Sequence, residues 1–141
     1  MSYASQTARY LENDIMSRRP EWLVPLLYEH LIASLERASV QMAASDFEGK
    51  AASFEKANAI VGELLASLDL EKGGEIAKQL SALYAFFTVE LLNISRTMDR
   101  PALARLVAMA KELHGAWVAA AEEIAPRSVR PAASREALQL A

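Results

Sequence analysis

The sequence contains no cysteine in 141 residues. That excludes a disulfide framework and any thiolate metal site, and it is compatible with a reducing compartment. No apolar run approaches the ~18 residues needed to span a bilayer, so no stable membrane insertion is expected. The opening Met1-Ser2-Tyr3-Ala4-Ser5-Gln6-Thr7-Ala8-Arg9 lacks the uninterrupted apolar stretch of a secretory signal. The simplest expected location is the cytoplasm. Histidine is almost as scarce, with only His30 and His114, and neither has a glutamate three positions before it. A di-iron carboxylate bundle needs two Glu-x-x-His motifs and two further inward carboxylates. Glu29-His30 and Glu112-x-His114 therefore read as helix-surface pairs rather than metal ligands. Glycines are few, and the one pair, Gly73-Gly74, is not followed by the Lys-Ser/Thr of a phosphate-cradling loop. No nucleophile motif singles out a serine. Neither an enzyme nor a bound cofactor is expected.

Basic residues are also in deficit. The net charge is −3, and Arg127, Arg130 and Arg135 lie near the end of the chain against only Glu136. The first 126 residues carry 12 basic and 17 acidic groups, a balance of −5. Such a body lacks the positive face that phosphate binding requires, so nucleic acid is not expected as a partner. The three arginines read as a solvated end.

What the chain has is apolar side chains, 52% of the total, enough for the core of one domain if they gather on helix faces. Helical periodicity recurs in four segments, and no alternation of period two is long enough to suggest a sheet. The first runs from about Trp22 to Ala44, with Leu23, Leu27, Leu31, Leu35 and Ala38 in one stripe and Val24, Tyr28 and Ile32 widening it. Pro25 conflicts with a helix that begins at Pro20, so the helix either starts late or kinks. Ser45-Asp46 offers a cap to the second segment, about Phe47 to Leu68, with Phe54, Ala57, Val61, Leu64, Leu65 and Leu68 at helical spacing. Gly73 is the expected left-handed residue that ends it. The third segment runs from about Glu75 to Thr97 and the fourth from about Pro101 to Ile124, with Asp99 as cap and Pro126 as stop. Short connections make neighbours antiparallel, which predicts an all-α, up-down four-helix bundle over residues 18–125. Residues 126–141, with two prolines and scattered Ala and Ser, are expected to be a disordered tail.

The third segment carries most of the functional information. Ile76, Leu80, Leu83, Tyr84, Phe87, Leu91 and Ile94 supply a core stripe, yet Phe86, Val89 and Leu92 add apolar groups on other faces. Either the second and fourth helices clasp it from both sides, or it exposes a groove for an amphipathic helix or an extended apolar peptide. Tyr10 and Ile15 stand isolated in a polar stretch and are expected to dock on something. They either pin the terminus to the bundle or cover the groove while it is empty.

The string Leu68-Asp69-Leu70-Glu71-Lys72-Gly73-Gly74-Glu75-Ile76-Ala77-Lys78-Gln79-Leu80, followed by Leu83-Tyr84, joins two of these segments as a helix hairpin. It resembles the inter-helix turn of the flagellin export chaperones, the FliS family, whose pattern is approximately LDxExGGEIAxxLxxLY. The resemblance extends over roughly residues 10–117. Tyr10 and Ile15 resemble the family's Tyr-x4-Val/Ile element, while Pro20-Glu21-Trp22-Leu23-Val24 and Leu26-Leu27-Tyr28 resemble its first-helix start. Lys56-Ala57-Asn58-Ala59-Ile60, Glu63-Leu64 and Ser67-Leu68-Asp69 resemble its second helix, and Trp117 its fourth. The chain departs from the pattern at Arg19, Pro25, Glu29-His30 and Gln79. The resemblance implies a cytoplasmic chaperone that binds the disordered C-terminal segment of flagellin, prevents premature polymerisation, and delivers it to a component of the flagellar export gate. It implies residues 1–17 as a cap segment, with Tyr10, Ile15, Ile60, Leu64, Leu68, Leu80, Tyr84, Phe87 and Leu91 at the cap and groove. Two other classes fit the residues less well. A bundle adaptor for another secreted or regulatory protein would keep the groove, whereas a bundle enzyme or cofactor carrier would hold metal, haem or nucleotide.

Overall fold

The computed structural model describes residues 22–124; the expected cap segment 1–17, with Tyr10 and Ile15, and the expected tail 126–141 lie outside them. The described residues form four helices: α1 (Leu23–Ala43), α2 (Phe47–Ala66), α3 (Leu70–Thr97) and α4 (Arg100–Ile124). Among the described residues there is no strand, and no helix is long and apolar enough to cross a membrane.

The ends of the helices follow from local chemistry. With Trp22 as N-cap, Pro25 falls in the first turn of α1, where an N–H would have no intrahelical partner. The conflict at Pro25 is thus settled by a late start. Asp46 Oδ1 accepts the Gly49 N–H at 2.9 Å and begins α2, while Asp99 Oδ1 accepts the Ala102 N–H at 3.0 Å and begins α4. Caps of this kind contribute about 0.5–2 kcal/mol each. The α3 C-terminus closes on Met98 in the left-handed conformation, φ 60°. There the Lys50 ammonium, from α2, donates to the Ser95 carbonyl at 2.9 Å, placing a cation at the negative end of α3.

The turn between α2 and α3 differs from expectation. Gly73 does not end α2, which stops at Ala66, and the left-handed residue is Gly74, φ 53° and ψ −128°. Asp69 is the cause. Its carboxylate accepts the N–H groups of Glu71 and Lys72 at 3.2 and 3.0 Å, so Leu70–Gly73 forms an opening turn of α3 instead of a tail of α2. The chain then breaks at Gly74 and resumes the helix. Gly73 is required for a different reason, close approach: a Cβ there would lie 2.6 Å from the Ala77 Cβ. Gly74→Ala is expected to lower stability by about 1–3 kcal/mol, since side chains rarely adopt this backbone region. A shift of the urea midpoint measures it, and an unchanged midpoint would show that the break relaxes freely.

Each helix packs on two neighbours, in the cyclic order α1, α2, α3, α4, with the α3–α4 contact the sparsest. One core runs through the bundle, built from Tyr28, Leu31 and Leu35 on α1, Phe54, Ile60 and Leu64 on α2, Tyr84, Phe87 and Leu91 on α3, and Leu103 and Leu106 on α4. A small second cluster, Trp22 with Ala121 and Val118, ties the start of α1 to the end of α4. The Ser53 hydroxyl and the Gln41 amide, 2.7 Å apart, pin α2 to α1.

Candidate functional site

At the end of the bundle where α1 starts, α2 ends, α3 starts and α4 ends, the helices part around an open cavity of about 500 Å³. Val24 comes from α1, Leu68 from the α2–α3 turn, Ile76, Ala77, Leu80 and Tyr84 from α3, and Trp117 from α4. Asp69 and Lys72 stand at its lip. The size lies in the ~300–1,000 Å³ range of pockets that hold ligands, and the lining is predominantly apolar.

A polar chain crosses the bundle beside this cavity. The Tyr28 and Tyr84 hydroxyls, on α1 and α3, are 2.9 Å apart and buried, with either able to donate. Burial pushes the Tyr28 hydroxyl far above the ordinary phenol value, and its bond to Tyr84 adds to the rise. Burial raises Tyr84 as well, with its bond to Tyr28 working against the rise. Unfolding returns both phenols to an ordinary value near 10. Below that pH both states are protonated and the stability is fully present; above it the unfolded chain loses protons the folded chain keeps, and stability falls. The melting temperature should therefore drop more steeply above about pH 10 in the natural protein than in Tyr28→Phe/Tyr84→Phe. Parallel pH profiles would contradict the burial of this pair.

A second apolar surface covers the outside of α3. Phe86, Val89 and Leu92 are 45%, 56% and 67% exposed, with Leu65 of α2 also exposed, while Ile76, 68% exposed, overhangs the cavity. Phe86 meets Phe87 edge-on, centroids 6.3 Å apart, one ring outside and the other inside. The second and fourth helices therefore do not clasp α3 tightly enough to hide its outer groups.

The residues expected at the groove separate into three sets. Leu68, Leu80 and Tyr84 line the cavity. Ile60, Leu64, Phe87 and Leu91, at 0%, 0%, 1% and 0% exposure, lie in the core, because they sit at the centre of the α2 and α3 stripes, facing the bundle axis. Tyr10 and Ile15 lie outside the described residues. Two stripe assignments change in the opposite direction. Ile76 was expected in the core but is exposed, since it follows the break at Gly74 and overhangs the cavity, and Leu65 lies on the outer edge of α2. Val24 and Trp117 complete the cavity although periodicity gave no reason to place them there; only the meeting of four helix ends does so.

His114 Nε2 and Glu29 Oε2 lie 3.3 Å apart, so the pair bridges α4 and α1 instead of joining sequence neighbours on one helix. No group of three or more His, Asp or Glu side chains is placed to hold a metal ion among the described residues.

The order of the motifs along the bundle can be compared with known proteins. The pattern of the family described as "Flagellar protein FliS" matches residues 2–124. The chain belongs to the FliS family. The flagellar secretion chaperone FliS of Salmonella typhimurium is 32% identical over 119 residues, covering 84% of this chain and 85% of that protein. Its Escherichia coli counterpart is 32% identical over 108 residues, covering 76% and 79%, and that of Campylobacter jejuni 33% over 110, covering 77% and 84%. FliS proteins are thus flagellar chaperones, a non-enzymatic class, consistent with a site built from apolar surface.

Proposed function

We propose that this protein is a cytoplasmic export chaperone that binds the C-terminal segment of flagellin, keeps it from polymerising, and hands it to a component of the flagellar export gate. The observation that carries the reading is the pairing of FliS membership with apolar surface left open along α3, from the cavity at Ile76 and Leu80 to Leu92. An apolar row on one long helix suits a client that arrives without structure of its own and lies along the bundle in extended or helical pieces. Ordering such a client costs conformational entropy, which moderates affinity and keeps release possible. Leu68, Leu80 and Tyr84 contact the client at the cavity, and Phe86, Val89 and Leu92 contact it outside.

Titration calorimetry with the flagellin of the same organism tests the proposal. Binding is expected at one-to-one stoichiometry, with a negative heat-capacity change from apolar burial. Flagellin lacking its C-terminal segment should not bind. Equal binding of the shortened flagellin would refute the client site, and no binding of the full-length protein would favour an adaptor for another secreted or regulatory protein.

A further inference from the structure

The outer face of α3 carries a pattern that the bundle itself does not use. Tyr84, Phe87, Leu91 and Ile94 form its core side, while on the opposite side Glu75, Ala82, Val89 and Arg96 recur every seven residues, all of them exposed. Ala85, Phe86 and Leu92, also exposed, fall between them on the same side. A seven-residue repeat is the spacing at which one helix pairs lengthwise with another. Because α3 packs on α2 and α4 at its sides, this face stands at a corner of the bundle, where the corner of a second bundle can reach it. We propose that it pairs with the same face of a second copy of this chain, the two α3 helices lying antiparallel about a two-fold axis between Ala85 and Phe86.

Three features select a second copy as the occupant. The first is shape. In this register Val89 meets the partner's Ala82 and Phe86 meets the partner's Ala85, so each large side chain lies over the space an alanine leaves, and the two-fold axis makes every contact twice. The second is charge. Arg96 meets the partner's Glu75 at both ends of the contact, about 32 Å apart along the helix. A parallel pair would set arginine on arginine and glutamate on glutamate, so the charges choose the antiparallel arrangement. Within α3 the Arg96 guanidinium donates to Asn93 Oδ1 at 3.3 Å, and Glu75 lies 4.0 Å from the Lys78 ammonium; both contacts stay within the helix, and neither draws its charge into the bundle. The third is arrangement. Apolar groups gather around the axis and charges lie at the two ends, the apolar centre and polar rim of a protein interface. These matches are properties of α3 set against its own reversed sequence. One helix on one helix falls at the low end of interface sizes, below about 1,200 Å² in total, so the pairing is weak and reversible. Competition between a second copy and a client for Phe86, Val89 and Leu92 rests on the client reading above; the pairing itself does not.

Analytical ultracentrifugation of the full chain, with no client present, tests the pairing. The sedimentation coefficient should rise with concentration towards that of a dimer. Val89→Asp, at a site already 56% exposed, should abolish the rise, and Ala85→Glu on the same face should do so too, each with a melting temperature close to that of the natural protein. Arg96→Glu and Glu75→Arg should each weaken pairing about tenfold, and the two changes in one chain should restore it, since opposite charges then meet again. A natural chain that stays monomeric up to about 1 mM would overturn the proposal. Association that persists in Val89→Asp and Ala85→Glu would place the contact on another surface and overturn it equally. Failure of the combined charge variant to restore pairing would reject the antiparallel register. Association lost on removal of residues 1–17 or 126–141 would assign it to the ends of the chain, with the same consequence.

Discussion

Leu91→Asp is expected to unfold the bundle, not merely to release a client. Leu91 has no exposed surface and packs in the central core shared by all four helices. A carboxylate there has no partner, and an uncompensated buried charge costs several kcal/mol in addition to the lost packing. Against a total stability of about 5–15 kcal/mol for a domain, that is enough to populate the unfolded chain. Leu91→Ala isolates the packing part, with an expected loss of about 2–5 kcal/mol in urea denaturation, and Leu64→Ala on α2 should behave alike. Losses below about 1 kcal/mol in both would mean that these side chains do not form the core they occupy here.

That expectation depends on which apolar residues point inward, and the sequence answers this only in part. The existence of four helices was legible because the decisive signals are local. Asp46 and Asp99 stand one residue before the helices they cap, and Met98 and Ser45 absorb the left-handed turns that the short connections demand. The α2–α3 turn was misread by one glycine. Both Gly73 and Gly74 suit a helix end in isolation, and only the capture of two N–H groups by the Asp69 carboxylate assigns the preceding turn to α3.

The site was less legible than the fold for a geometric reason. Periodicity gives the direction of an apolar stripe, but its width depends on how closely neighbouring helices approach. Phe87 and Phe86 are adjacent in sequence and equally apolar, yet one is buried and the other 45% exposed, because the packing of α3 against α4 is too sparse to reach its outer face. Ile76 shows the same effect along the helix. It has the spacing of a core residue, but the break at Gly74 and the parting of the helix ends leave it over a cavity. The cavity unites Val24, Leu68 and Trp117 from distant parts of the chain, so no local pattern could have marked it. Likewise, His114 gains Glu29 as its partner only once α1 and α4 lie side by side.

These exposed groups should separate binding from folding. In Ile76→Asp/Phe86→Asp/Leu92→Asp, all three changes fall on side chains that are already 45–68% exposed, so the folded state gives up little burial. The melting temperature should stay within a few degrees of the natural protein, as is usual for surface substitutions. Client affinity should nevertheless collapse. Apolar anchors at a protein interface commonly contribute 2 kcal/mol or more, roughly 30-fold in affinity each, and a carboxylate desolvated against an apolar client adds a penalty. Because neighbouring anchors are not additive, the combined loss is set at no less than about 100-fold. Calorimetry with flagellin and a thermal scan on the same preparation read the two quantities side by side. A variant that melts normally and binds normally would exclude the outer face of α3 from the client path and confine contact to the remaining cavity wall, Leu68, Leu80, Tyr84 and Trp117. A variant that melts early would show that α3 depends for its stability on groups that solvent already reaches.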